Sequence, residues 1–215
     1  MKVNGTVCAI IELGMFFVLA QQLRTHLALQ SINLCAYYWL TFTILTGIWE
    51  LFYVTQKKEV SQMADQLIES GECVWTNEYS ICVLLPWKFS KLFYSEYAAY
   101  ADREYMNMQD RWSLSIEGTH AMICGAYSVI GLGMLLYEPY SCKFQIGIGA
   151  AMGSQLMNSI LYMSEYVIQV QDTNSVNYNS DVFPTGRLLW KRSFMYINVF
   201  WTVMPCGILV GYLVY

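Results

Sequence analysis

Glu117 and His120 stand three residues apart in an apolar stretch, residues 114–136, with Cys124 a further four residues on. On a helix the three share one face, and in a membrane a charged side chain at such a place costs about 2.5–3.5 kcal/mol on insertion scales. Desolvation favours the neutral, proton-bearing form of a carboxyl, the form needed to protonate an unactivated alkene. Glu50 ends the apolar run that starts at Ile32. Near a helix end it can either serve a site or snorkel to the interface. Thr46, four residues earlier on the same face, offers a hydroxyl without charge. In the last apolar stretch Asn198 and Trp201 are three apart, and Pro205, one turn later, frees a backbone carbonyl and bends the helix. An aromatic face can hold a cation with about 2 kcal/mol when both are desolvated.

These groups suit a reaction that adds and removes protons. Glu117, Glu50 and His120 are the catalytic candidates; Asn198, Trp201 and Thr46 are the candidates for lining the substrate. The plainer alternatives are a Glu–His pair that locks two helices together and a tryptophan that only packs. No metal is expected: Glu-x-x-His is half of the di-iron bundle motif, which needs a second copy and two further glutamates. The only other histidine, His26, has no glutamate three residues before it. No nucleophile elbow, phosphate loop or dinucleotide fingerprint occurs, and proton relocation requires no cofactor, so none is expected.

The elements that must position these residues follow from composition. The chain of 215 residues is 56% hydrophobic and 16% aromatic with 13% charged residues, against roughly 25% charged in a typical soluble domain. Five stretches, 7–22, 32–54, 112–137, 144–170 and 194–215, are long and apolar enough to span a hydrocarbon core of about 30 Å. The expected fold is an all-α, integral membrane, five-helix bundle. Its first helix and a short loop occupy residues 1–31, and the rest of the transmembrane domain, with a long loop at 55–111, occupies 32–215. The first stretch lacks a small-residue cleavage pattern and reads as a retained helix rather than a secretory signal, with Glu12 either near its outer end or facing other helices.

Within the long loop, residues 57–72 carry Val60, Met63, Ala64, Leu67 and Ile68 at helical spacing, which predicts an amphipathic helix on the membrane surface. Residues 75–105 are rich in interface-seeking Trp, Tyr and Phe, as a lid would be. Lysine and arginine fall ten to two in favour of the side holding the N-terminus and this loop, the cytoplasmic side by the positive-inside rule, although six of the ten share the loop with nine acidic residues. The net charge of −4 and the lack of a basic run exclude nucleic acid as a partner. Cys73 and Cys82, nine apart, could pair if the loop faces an oxidising lumen. Gly149 with Gly153 and Gly207 with Gly211 permit close helix contact, either within the bundle or across a homodimer seam.

Several of these residues occur in a recognisable order. Glu96-Tyr97-Ala98, Asp102-Arg103-Glu104-Tyr105 and Asp110, seven before Glu117, resemble the central signature of the emopamil-binding protein family, also called the EXPERA domain. Asn198 to Pro205 is similar to that family's final helix, Leu161 to Glu165 to its fourth-helix ending, and Glu50 falls where its second helix carries a glutamate. The resemblance covers about residues 32–213 and implies five transmembrane helices in the endoplasmic reticulum membrane, often as a homodimer. The implied activity is sterol Δ8–Δ7 isomerisation, in which a sterol alkene is protonated, a tertiary carbocation forms, and a proton leaves the neighbouring carbon. Glu50 and Glu117 would shuttle the proton and balance the cation, and Asn198 and Trp201 would line the cavity. The family isomerase has a histidine where this chain has Thr46, and a threonine where it has His120; the loop is also longer here. A terpenoid isomerase or cyclase of specialised metabolism is therefore a second expectation. A third is a non-catalytic protein that binds sterols or amphiphilic amines, as the sigma-2 receptor of the same family does.

Overall fold

The computed structural model describes residues 2–101, 115–116, 118–137, 141–169, 171–174 and 193–214. Apart from one two-stranded ribbon the fold among these residues is all-α. Strand β1 (Lys2–Asn4) pairs antiparallel with β2 (Glu78–Ser80), setting Val3 opposite Tyr79. Helix α1 (Gly5–His26) starts at once, its N-cap Asn4 side chain accepting from the Val7 N–H. Gly5 is required there: a Cβ would sit 2.2 Å from the Val74 carbonyl oxygen. The Gly5 and Thr6 N–H groups donate to the Asn77 and Trp75 carbonyls. The start of the chain is thus tied to the long loop before α1 has completed a turn.

Helix α2 (Leu34–Thr55) is capped by Asn33, whose side chain accepts from the Cys35 and Ala36 N–H groups. Helix α3 (Lys57–Ser70) ends at Gly71, which takes the left-handed conformation, φ 68°, that glycine adopts without strain. Helix α4 (Pro86–Glu96) opens on proline, whose missing N–H has no helical partner to lose at that position, and runs into a π-helical turn at Tyr97–Ala101. A second π-helical turn, His120–Cys124, leads into α5 (Gly125–Tyr137). Helices α6 (Cys142–Gln169) and α7 (Ser193–Val214) complete the bundle.

The long helices pack as a chain of neighbours, α2 on α5, α5 on α6 and α6 on α7. The backbones of α5 and α6 approach closely, and a Cβ on Gly147 would lie 3.2 Å from the Gly131 Cα. At Gly149, Gly153, Gly207 and Gly211 an added Cβ would meet nothing within 4 Å. Among the described residues the glycine pairs singled out by spacing therefore make no close contact, because helix rotation turns a different small-residue pair into the interface.

Helix α3 forms where the periodicity places it, with Val60, Ala64 and Leu67 buried. Its apolar stripe is covered by α4 and the π-turn after it rather than by a membrane surface. The Tyr100 hydroxyl reaches the Leu67 and Glu72 carbonyls at the end of α3, and the buried Ser95 hydroxyl donates to the Val60 carbonyl.

Among the described residues two helices, Gly5–His26 and His120–Tyr137, are long and apolar enough to cross a membrane, and Tyr196–Tyr212 is a shorter apolar run. In α2 the residues that lower hydropathy, among them Tyr37, Trp39, Thr43 and Glu50, are buried inside the fold, while Ile48 and Leu51 face outward.

Candidate functional site

A cavity of about 390 Å³ lies between α1, α2, α4, α6 and α7 and the two π-helical turns. That is within the range of about 300–1,000 Å³ for small-molecule sites. Glu50, Thr46, His120, Asn198 and Trp201 all line it. Five of the six residues chosen by type and spacing thus meet at one wall, although they come from three separate segments; Glu117 lies outside the described residues.

The central contact joins α2 to the second π-turn. His120 Nδ1 lies 2.6 Å from Glu50 Oε2, with the two side chains 7% and 9% exposed. The two groups form a buried ion-pair contact when the imidazole is protonated, which sets the ring against the carboxylate. The π-turn sets the histidine there. The Gly125 N–H reaches back five residues to the His120 carbonyl, so the helix carries one extra residue in that turn, and such turns are frequent at functional sites. Sequence spacing pairs His120 with Glu117 along one helix, whereas the structure also brings it to Glu50 across a helix interface. Thr46 takes no part in that contact; its hydroxyl donates to the Thr43 carbonyl of its own helix at 3.3 Å.

Trp201 is held on several sides. Its ring stacks on Phe42 at 5.6 Å and 18°, lies 4.7 Å from Trp39, and meets His120 at 5.6 Å in a T-shaped arrangement. That last contact has the edge-to-face geometry that aromatic pairs favour. The carbonyl that Pro205 deprives of its helical donor is that of Trp201, and the Ser159 hydroxyl of α6 supplies a hydrogen bond to it at 3.3 Å. Asn198, one turn before Trp201, also faces the cavity.

Several lining residues were not singled out from the sequence. Phe42 and Trp49 line the same wall as Thr46 and Glu50. Trp39, Phe42, Thr46 and Trp49, at i, i+3, i+7 and i+10, mark one inward helix face, a legible signal obscured because aromatic residues are common throughout the chain. Asn158 and Tyr162 of α6 also line the cavity, and the hydroxyls of Tyr162 and Tyr97 share a hydrogen bond of 2.8 Å. Tyr97 opens the first π-turn, as His120 opens the second.

The long loop forms a wall of the cavity through Trp75, Phe89, Phe93 and Tyr94. It is packed firmly against α2: the Ser90 hydroxyl donates to the Trp49 carbonyl, and Tyr94 stacks on Tyr53 at 4.7 Å. Glu12 is buried, facing Trp49, with Ala9 and Leu13 beside it lining the cavity. Of the two placements open to it, the inward one is realised.

All seven cysteines are free thiols, Cys73 and Cys82 included. Cys73 Sγ donates to Glu96 Oε1 at 3.1 Å, and the Val74 N–H donates to the other carboxylate oxygen at 2.8 Å. Burial, with the Glu96 carboxylate beside it, pushes the Cys73 thiol up from its ordinary value.

No protein-family model, curated protein or solved structure matches this chain.

Proposed function

We propose that the chain is a five-helix membrane protein of the endoplasmic reticulum that shifts a carbon–carbon double bond in a sterol, from Δ8 to Δ7, without a cofactor. The observation that carries this proposal is the Glu50–His120 pair, buried in the wall of an apolar cavity and set against Trp201. A proton-transfer pair, an apolar chamber and an aromatic face are the parts such a reaction needs. Membrane residence is supported by outward-facing apolar side chains on four helical segments: Ile10, Val18 and Leu19 on α1, Ile48 and Leu51 on α2, Met122 and Val129 on the third span, and Val199, Val203 and Val210 on α7. Contiguous apolar exposure of that kind marks a membrane or partner surface. The order of Glu50, Glu96-Tyr97, Glu117, Asn198, Trp201 and Pro205 along the chain supports the emopamil-binding protein resemblance.

The reaction runs in two proton transfers. A proton passes from the acid of the site, Glu117 or the imidazolium of His120, to one alkene carbon, leaving a tertiary cation on the other. The Glu50 carboxylate and the Trp201 face offset that charge. A proton on the neighbouring carbon then passes to the conjugate base, its C–H electron pair forms the new double bond, and the site regains its starting protonation. Protons and electrons balance without a further reactant.

A terpenoid substrate is the second proposal. The specific observation in its favour is that the histidine reaches Glu50 from the opposite helix instead of from position 46, which moves the proton donor relative to the cavity wall. A third, non-catalytic proposal keeps the same cavity as a receptor for a sterol or a cationic amphiphile. The deciding experiment is expression in yeast lacking its own Δ8–Δ7 isomerase, with sterols analysed by mass spectrometry. Return of Δ7 sterols supports the isomerase; persistence of Δ8 sterols with the protein well expressed overturns it.

A further inference from the structure

Beside the aromatic wall, α6 presents two polar side chains one turn apart, Gln155 and Ser159, which hold Trp39 and Trp201 respectively. Gln155 is 1% exposed. Its amide oxygen accepts from Trp39 Nε1 at 2.6 Å, and its amide nitrogen donates to Thr43 Oγ1 at 3.2 Å. The Thr43 hydroxyl in turn donates to the Trp39 carbonyl at 2.9 Å, so the indole and the backbone that bears it belong to one closed network. Ser159 donates to the Trp201 carbonyl that Pro205 cannot serve. Trp39 and Trp201 are the pair whose rings lie 4.7 Å apart, and Trp201 faces His120.

A buried amide is a poor choice if packing is all that is needed. Removing its polar atoms from water is unfavourable unless each is bonded, and a leucine or methionine fills the same volume without that requirement. What the amide adds is direction: a bond to the indole N–H fixes which way the ring plane turns. We infer that Gln155 and Ser159 are positioning residues that hold Trp39 against Trp201 and so orient the aromatic face that Trp201 presents to the cavity, and that this orientation gives the cavity its preference for a cationic guest. The inference rests on the proposed cation-forming chemistry and names the part of the fold that holds the stabilising face in place.

The test compares two probes of similar shape, N,N-dimethyldodecylamine, cationic at neutral pH, and uncharged N,N-dimethyldodecanamide, binding to the purified full-length protein. Wild type is expected to prefer the cation by about 10-fold or more, the size of a desolvated cation–π contact. Gln155→Met is expected to bind the neutral amide as wild type does while its cation preference falls below about threefold. Ser159→Ala is expected to lower the preference in the same direction, and Ser159→Thr, which keeps the hydroxyl, to restore it. Should Gln155→Met fail to fold, Thr43→Val removes the amide's other partner and is expected to reduce the preference likewise. If these variants keep the full preference, the network only packs and the inference fails. If wild type itself shows no preference, the proposed function fails first, and the inference with it. Equal loss of both ligands also overturns it, since that is the signature of general disruption.

Discussion

Replacing Glu50 by glutamine separates the two jobs of the Glu50–His120 contact. Both side chains are more than nine-tenths buried and their atoms are 2.6 Å apart, so no discount for solvent screening applies. Breaking a buried charge pair by removing one partner costs about 3–5 kcal/mol when the other charge stays. The imidazole can shed its proton, and glutamine keeps the volume and a polar oxygen, so the expected loss of stability is smaller, about 0.5–2 kcal/mol. Near 200 residues each kcal/mol lowers the melting midpoint by roughly 2–4 °C. Glu50→Leu removes the polar contact altogether and costs more, toward about 3–5 kcal/mol. Catalysis responds differently, because a neutral amide does not balance the cation. Loss of one group that stabilises the developing charge costs about 10²- to 10³-fold in rate, or about 2.7–4 kcal/mol of barrier. The assay is turnover of a Δ8 sterol by purified protein, with a thermal melt on each sample. Glu50→Gln is expected to stay folded and lose at least 100-fold in turnover, with Glu50→Leu melting lower still. A glutamine variant retaining a tenth of wild-type turnover, or melting as low as the leucine variant, would refute the assignment.

Exchanging the histidine between helices, Thr46→His with His120→Thr, is expected to alter the product profile while keeping activity, as read by gas chromatography of the sterols; an unchanged profile would make the relocated histidine structural. With single-cysteine variants in sealed microsomes, an impermeant maleimide is expected to label Cys82 from one side and Cys35 and Cys142 from the other, all three being exposed; labelling of Cys35 and Cys82 from the same side would contradict five spans. Cys73 is expected to react more slowly than Cys82, since burial and Glu96 raise its pKa and so lower its thiolate fraction at neutral pH. Gly5→Ala drives a Cβ toward the Val74 carbonyl oxygen, 2.2 Å away. It is expected to cost about 1–3 kcal/mol as a lowered melting midpoint, and an unchanged midpoint would show that the start of α1 is not anchored to the loop.

What could be read from the sequence was local and periodic. Helix α3 follows from Val60, Ala64 and Leu67 at helical spacing, and the need for a partner at the Trp201 carbonyl follows from Pro205 four residues later. What covers the α3 stripe was not legible, since periodicity marks an apolar face without naming what packs on it. The Glu50–His120 contact was illegible for a related reason. It depends on the register of a π-turn, and Glu117-x-x-His120 spacing on a regular helix directs attention along the helix instead of across to α2. The Gln155–Trp39 contact joins residues 116 apart in sequence, and no local pattern announces such a pair. Glu12 had two placements from sequence, and only the packing of α1 against Trp49 decides between them.

The most direct measurement is deuterium incorporation during turnover of a Δ8 sterol in heavy water. Protonation of the alkene followed by loss of a different hydrogen places one solvent deuterium in each Δ7 product molecule, read as a gain of one mass unit. Wild type is expected to give that labelled product and Glu117→Gln none. Δ7 product without deuterium would contradict protonation by solvent-exchanged groups in the site, and no product from well-folded wild type would contradict the sterol isomerase assignment.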